Sequence, residues 1–172
     1  MNKKLLKNYF SWFFYLAVIA FVLMMHGPRI YNNFKNEDQT IAPINHLVLL
    51  SPGISLEFPL QNKNSLIIFW ASWCAPCKLE MNRLKKSVEE KKISPDQIFA
   101  INPFEEKEIE LAFIKKEKYP FIFLRDELNT LKLKLKIEQT PTVLLFEKTH
   151  LKKISSGISL TGIFQAETFL SP

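Results

Sequence analysis

The chain has 172 residues with 15 phenylalanines against four glycines, a composition that suits one packed domain plus an appendage and excludes a loop-rich scaffold. Its two cysteines, Cys74 and Cys77, cannot staple such a domain in several places, and a bridge between them closes too short a loop to add much stability. Of the +6 net charge, three units sit at Lys3, Lys4 and Lys7, and the remainder sets 20 basic against 17 acidic side chains in mixed order, which argues against a nucleic-acid partner.

Taken in order, Tyr9–Met25 is apolar apart from Ser11, at the short end of the roughly 20 residues that span a bilayer. Met24-Met25-His26-Gly27-Pro28-Arg29 follows without an A-x-A cleavage pattern, so residues 9–25 are expected to remain as an anchor rather than leave as a signal peptide. Tyr9, Trp12 and Phe13 suit an interfacial belt. The three lysines before the span, against Arg29 and Lys35 after it, put the N-terminus in the cytoplasm. The expected location is therefore the cell membrane, single-pass, with the domain in the periplasm or on the outer face, an oxidising place in a bacterium. Residues 1–25 form the tip and anchor, 26–43 an aperiodic polar linker, and 44–172 the folded domain.

Within that domain, His46–Leu50 and Ile54–Phe58 read as two strands joined by a turn at Ser51-Pro52-Gly53. Leu66–Ala71 reads as a buried central strand, followed by a helix over 75–91. Gln97–Asn102 is the next strand, and a helix from Glu105 to Lys118 is expected to turn Ile109, Phe113 and Ile114 to one face. Phe121–Leu124 is a further strand, and this β-α-β order argues for parallel pairing within a mixed sheet flanked by helices, an α/β fold. Leu131–Ile137 alternates Leu and Lys, the pattern of a strand, although both residues are good helix formers. Thr142–Phe146 and Lys152–Ser155 read as a hairpin, and Ser159–Leu170 as a closing helix with Leu160, Ile163, Phe164 and Phe169 against the sheet.

Chemistry concentrates at Trp73-Cys74-Ala75-Pro76-Cys77-Lys78, where a C-x-x-C joins the end of a strand to the start of a helix. A helix N-terminus carries partial positive charge and free N–H groups, which stabilise a thiolate on Cys74 and lower its pKa from about 8.5. Cys74 is then the nucleophile and the more exposed sulfur, and Cys77, one turn in, is the resolving thiol. Pro76 fits because the first helical turn needs no N–H from it. A zinc site wants about four ligands, but His26, His46 and His150 show no paired spacing, so no metal is assigned. A c-type haem attachment would need His where Lys78 stands.

These residues, with Phe69-Trp70-Ala71-Ser72 before them, resemble the active site of the thioredoxin superfamily, and most closely its membrane-anchored TlpA/ResA-like branch; the resemblance covers about residues 44–170. It implies a thioredoxin-like fold with an N-terminal β-hairpin, a short helix at about 127–135, and a cis proline at Pro141. Through that bond the Thr140 backbone would be aimed at a docking peptide, beside Trp73 and Pro76. It further implies that Glu80 lies near the disulfide and assists proton transfer, a role made more pointed by Ile68, which stands where thioredoxin keeps a buried Asp. The implied activity is that of a thiol–disulfide oxidoreductase with no cofactor beyond its own Cys74–Cys77 pair. A reductant of protein disulfides, for instance in cytochrome c maturation, is favoured. Its partners would be protein thiols and disulfides, and a membrane thiol carrier of the DsbD/CcdA kind would recharge it. A DsbA-like oxidant and a non-catalytic copper or assembly module are the alternatives.

Overall fold

The computed structural model describes residues 3–36, 38–42, 44–50 and 55–171. The chain divides between Lys35 and Asn36 into two compact units. The first is the helix α1 (Lys3–Asn36), 34 residues long with Pro28 inside it. On its described part, Trp12, Phe13, Leu16, Phe21 and Met24 are each more than half exposed. Among the described residues no helix is long and apolar enough to cross a membrane.

The stretch expected as an aperiodic linker is helical as far as Asn36. Beyond it, β1 (Gln39–Thr40) pairs antiparallel with β8 (His150–Ser156), and Ile41 is fully buried. Hydropathy could not show this, because a two-residue strand is held by its partner's backbone and by one apolar side chain.

The second unit is built on one eight-stranded mixed sheet in the order β1-β8-β7-β4-β5-β6-β2-β3. β2 (Ile44–Leu49) and β3 (Ser55–Phe58) form the expected hairpin, while its turn at Ser51-Pro52-Gly53 lies outside the described residues. β4 (Ser65–Phe69) runs parallel to β5 (Ile98–Ile101), and β5 parallel to β6 (Ile122–Asp126). The crossovers carry α2 (Ala75–Glu89) and α3 (Lys107–Glu117). After α4 (Thr130–Lys134), β7 (Thr142–Glu147) turns back antiparallel to β4, β8 follows, and α5 (Gly162–Leu170) closes the chain.

Every residue of β4 is buried, because both faces of the sheet are covered. Leu66 and Ile68 pack with Met81 and Leu84 of α2, Phe113 of α3, and Ala166 and Leu170 of α5. Ile67 and Phe69 pack on the other side with Phe58, Phe99, Leu131, Leu135 and Phe146. There the Phe58 ring meets Phe99 and Phe146 edge-to-face at 5.4 and 5.2 Å, a geometry that adds about 1 kcal/mol per pair to the area buried.

Two helical faces differ from expectation. On α3, Ile109 is 48 % exposed and Glu110 is buried in its place. α5 starts at Gly162 rather than Ser159, so Leu160 lies in the preceding loop, and both Leu160 and Phe164 are exposed. Ala166 and Leu170 take the buried positions, four apart on one face.

Candidate active site

β4 ends at Phe69, and Trp70 N–H donates to the Ile101 carbonyl at 3.0 Å, keeping the chain in register for one more residue. A tight turn follows, closed by Cys74 N–H on the Ala71 carbonyl at 3.1 Å. Cys74 is then the N-cap of α2, with φ −82° and ψ 98°, and Pro76 sits in the first turn. Cys77 N–H donates to Cys74 Sγ at 3.2 Å. The sulfurs of Cys74 and Cys77 are joined as a disulfide with Cα atoms 5.2 Å apart. When the bond is reduced, the same N–H and the helix N-terminus stabilise charge on Cys74.

Cys74 is the more accessible of the pair, but only at 4 % against 0 % for Cys77. The order is the expected one, with both sulfurs largely covered: the turn folds Cys74 against the same cluster that holds Cys77, Met81 and Trp70. The exposed side chains at the site are Trp73, at 69 %, with Ala75 and Pro76.

The Thr140–Pro141 peptide bond is cis. The antiparallel register of β4 and β7 pairs Phe69 with Thr142, which brings Pro141 to the turn that starts at Trp70. The Pro141 carbonyl accepts from Gly157 N–H at 2.7 Å, so the loop after β8 is tied to this peptide. A second cis bond, Phe58–Pro59, carries no sequence signal that set it apart from the other prolines.

Glu80 lies one turn beyond Cys77 on α2 and is 5 % exposed. Its Oε1 accepts from Ser159 N–H at 3.0 Å and from Arg83 Nη1 at 3.2 Å. Arg83 also donates to the Ser159 and Leu160 carbonyls, at 2.9 and 3.3 Å. Beside Glu80 is a cavity of about 20 Å³, lined mainly by Leu66, Val143, Ile163 and Ala166; that is room for about one water molecule.

One residue of the site was not foreseen. Glu105, in the loop after β5, accepts from Ser72 N–H at 2.6 Å with Oε2 and from Ser72 Oγ at 2.5 Å with Oε1. Asn102 Nδ2 donates to Oε2 at 2.5 Å. Burial works to raise the pKa of Glu105, but the Ser72 and Asn102 hydrogen bonds outweigh it and hold the carboxyl below its ordinary range. The contact joins residues 33 apart in sequence, so no local spacing reveals it.

Set against known proteins, residues 53–156 match the family model described as Redoxin. The chain is 27 % identical over 150 residues to the thiol-disulfide oxidoreductase ResA of Halalkalibacterium halodurans, covering 83 % of this chain and 84 % of that protein. It is 26 % identical over 125 residues to the sporulation thiol-disulfide oxidoreductase A of Bacillus subtilis, covering 70 % and 76 %. The crystal structure of StoA from Bacillus subtilis shares the fold with a TM-score of 0.60 at 20 % identity, covering 73 % of this chain and 97 % of that one.

Proposed function

The chain belongs to the Redoxin family, and we propose that its thiol–disulfide exchange runs in the reducing direction, on protein disulfides outside the cytoplasm, from a membrane tether. The observation that carries the exchange chemistry in this reading is the Cys74–Cys77 disulfide at the N-cap of α2, beside the cis Thr140–Pro141 bond. The Cys74 thiolate attacks one sulfur of the substrate disulfide; that S–S bond breaks, and the other substrate sulfur leaves as a thiolate and takes a proton. Cys77, deprotonated, then attacks the Cys74 sulfur, forming the internal disulfide and releasing the second substrate thiol. Two electrons pass to the substrate.

In this proposal Glu80 exchanges the Cys77 proton, from its place one turn along the same helix. Trp73, Pro76, Thr140 and Pro141 dock the substrate chain. A haem-binding cysteine pair of an apocytochrome c is one substrate class that fits a reductant in an oxidising compartment. Turnover requires the disulfide to be reduced again, which a DsbD/CcdA-type membrane thiol carrier would supply. Support for the tether comes from the run of exposed apolar side chains on α1.

The reduction potential of the full chain, measured against glutathione, tests the direction. The expected value lies nearer that of thioredoxin, about −270 mV, than that of DsbA, about −120 mV; a value near the latter makes the protein an oxidant. Cys77→Ala, which cannot resolve the mixed disulfide, should accumulate a substrate bound at Cys74.

A further inference from the structure

The thiolate of Cys74 depends on the Cys77 N–H and on the first turn of α2, so Cys74 must keep its N-cap backbone angles. The short turn between Phe69 and Cys74 sets those angles. Within it, the Ser72 amide and hydroxyl both bond to Glu105.

We propose that Glu105 is a positioning residue for the redox site: its carboxylate fixes Ser72, and through Ser72 the N-cap geometry of Cys74 and the outward setting of Trp73. The inference rests on Cys74 being the attacking thiol.

Three observations support it. β5 lies beside β4 in parallel, with Ile101 opposite Phe69, so the loops leaving the two strands emerge at the same edge of the sheet. The Glu105 loop is itself braced: Asn102 is 3 % exposed, donates to Glu105, and accepts from Phe104 N–H at 3.1 Å. The two carboxylate oxygens face three donors and no acceptor is left over, so the ionised form satisfies the whole cluster. An amide at this position keeps one oxygen for Ser72 N–H and Asn102, and its N–H₂ can donate to a Ser72 hydroxyl that has turned to accept. Glu105→Gln therefore preserves the connection without the charge, whereas Glu105→Ala removes both.

The test is alkylation of the reduced full chain by iodoacetamide as a function of pH, with Cys74 and Cys77 distinguished by peptide mapping. Preferential alkylation of Cys77 in the parent protein would overturn the assignment of the attacking thiol itself, before any variant is compared. With that assignment met, Glu105→Ala is expected to move the Cys74 profile to higher pH and to slow its neutral-pH reaction on the order of tenfold. Ser72→Ala, which removes one of the two bonds, should fall between, and Glu105→Gln should stay within about twofold of the parent. If Glu105→Ala fails to fold, the other two variants decide by the same profiles. A profile that is unchanged, or that moves to lower pH because only a repelling charge was lost, overturns the proposal. So does a lowered melting temperature with Cys74 reactivity untouched, which marks a merely structural bond.

Discussion

Glu110 is 1 % exposed in the middle of α3, with Oε1 2.8 Å from Arg125 Nη1 on β6. Burial pushes its pKa from 4.5 up to about 7, against the attraction of Arg125, with Glu105 and Glu106 adding to the rise. The folded protein thus holds a proton that the unfolded chain has released between these two values. Its contribution to stability is complete below about 4.5 and is lost as pH rises through about 7. Urea midpoints should fall from pH 5 to pH 8, and Glu110→Gln should flatten that fall; equal slopes for the two proteins would refute the account. At this scale the sequence divided cleanly. Cys74, Cys77 and Pro76 were legible because their chemistry is set by spacing along one helix turn. Glu105 and Glu110 were not, since each is defined by a partner on another element. Glu105 meets Ser72 and Glu110 meets Arg125 only once β4, β5 and β6 lie side by side.

Among the elements, α4 shows how an ambiguous pattern resolves. A strand over the alternating Leu131, Leu133 and Leu135 would put all three on one face. Instead Leu131 and Leu135 are buried four residues apart, and Leu133 is 70 % exposed. What holds so short a helix is Asp126 at the end of β6. Its Oδ1 accepts from Thr130 N–H at 2.8 Å, and its Oδ2 from Leu131 and Lys132 N–H at 2.9 and 3.2 Å. These are donors that the first turn cannot pair internally. Asp126→Ala should cost about 2 kcal/mol, read as a lower urea midpoint together with faster hydrogen exchange at the Leu131 and Lys132 amides. Unchanged exchange at those amides would deny Asp126 the capping role. No capping signature was visible beforehand, because Asp126 lies four residues before the helix, past Asn129 in a left-handed conformation. The start of α5 escaped notice for a related reason. Leu160 continues an apolar pattern, but its backbone and that of Ser159 are taken by Glu80 and Arg83 and cannot join the helix.

For the whole molecule, the β-α-β order was enough to give the mixed sheet. The pairing of β2 with β6, which sets the hairpin at one edge, was not, because antiparallel register between strands so far apart in sequence leaves no local trace. The same contrast applies to the two units. The redox unit buries its apolar residues on both faces of one sheet, whereas α1 leaves Trp12, Phe13, Phe21 and Met24 exposed. Burying such side chains is worth roughly 1.5–3 kcal/mol each, so a helix bearing several of them gains strongly from any apolar phase that accepts it. Three lysines at its start, Lys3, Lys4 and Lys7, suit the headgroups of anionic lipid at about 1 kcal/mol apiece. Flotation with vesicles containing phosphatidylglycerol should therefore carry the full chain upward and leave behind a chain beginning at Asn36. That shorter chain should keep the disulfide potential of the parent, since Cys74, Cys77, Glu80, Glu105 and Pro141 all belong to the second unit. Equal flotation of the two would remove α1 from the tether; a shifted potential would mean that the helix contributes to the chemistry.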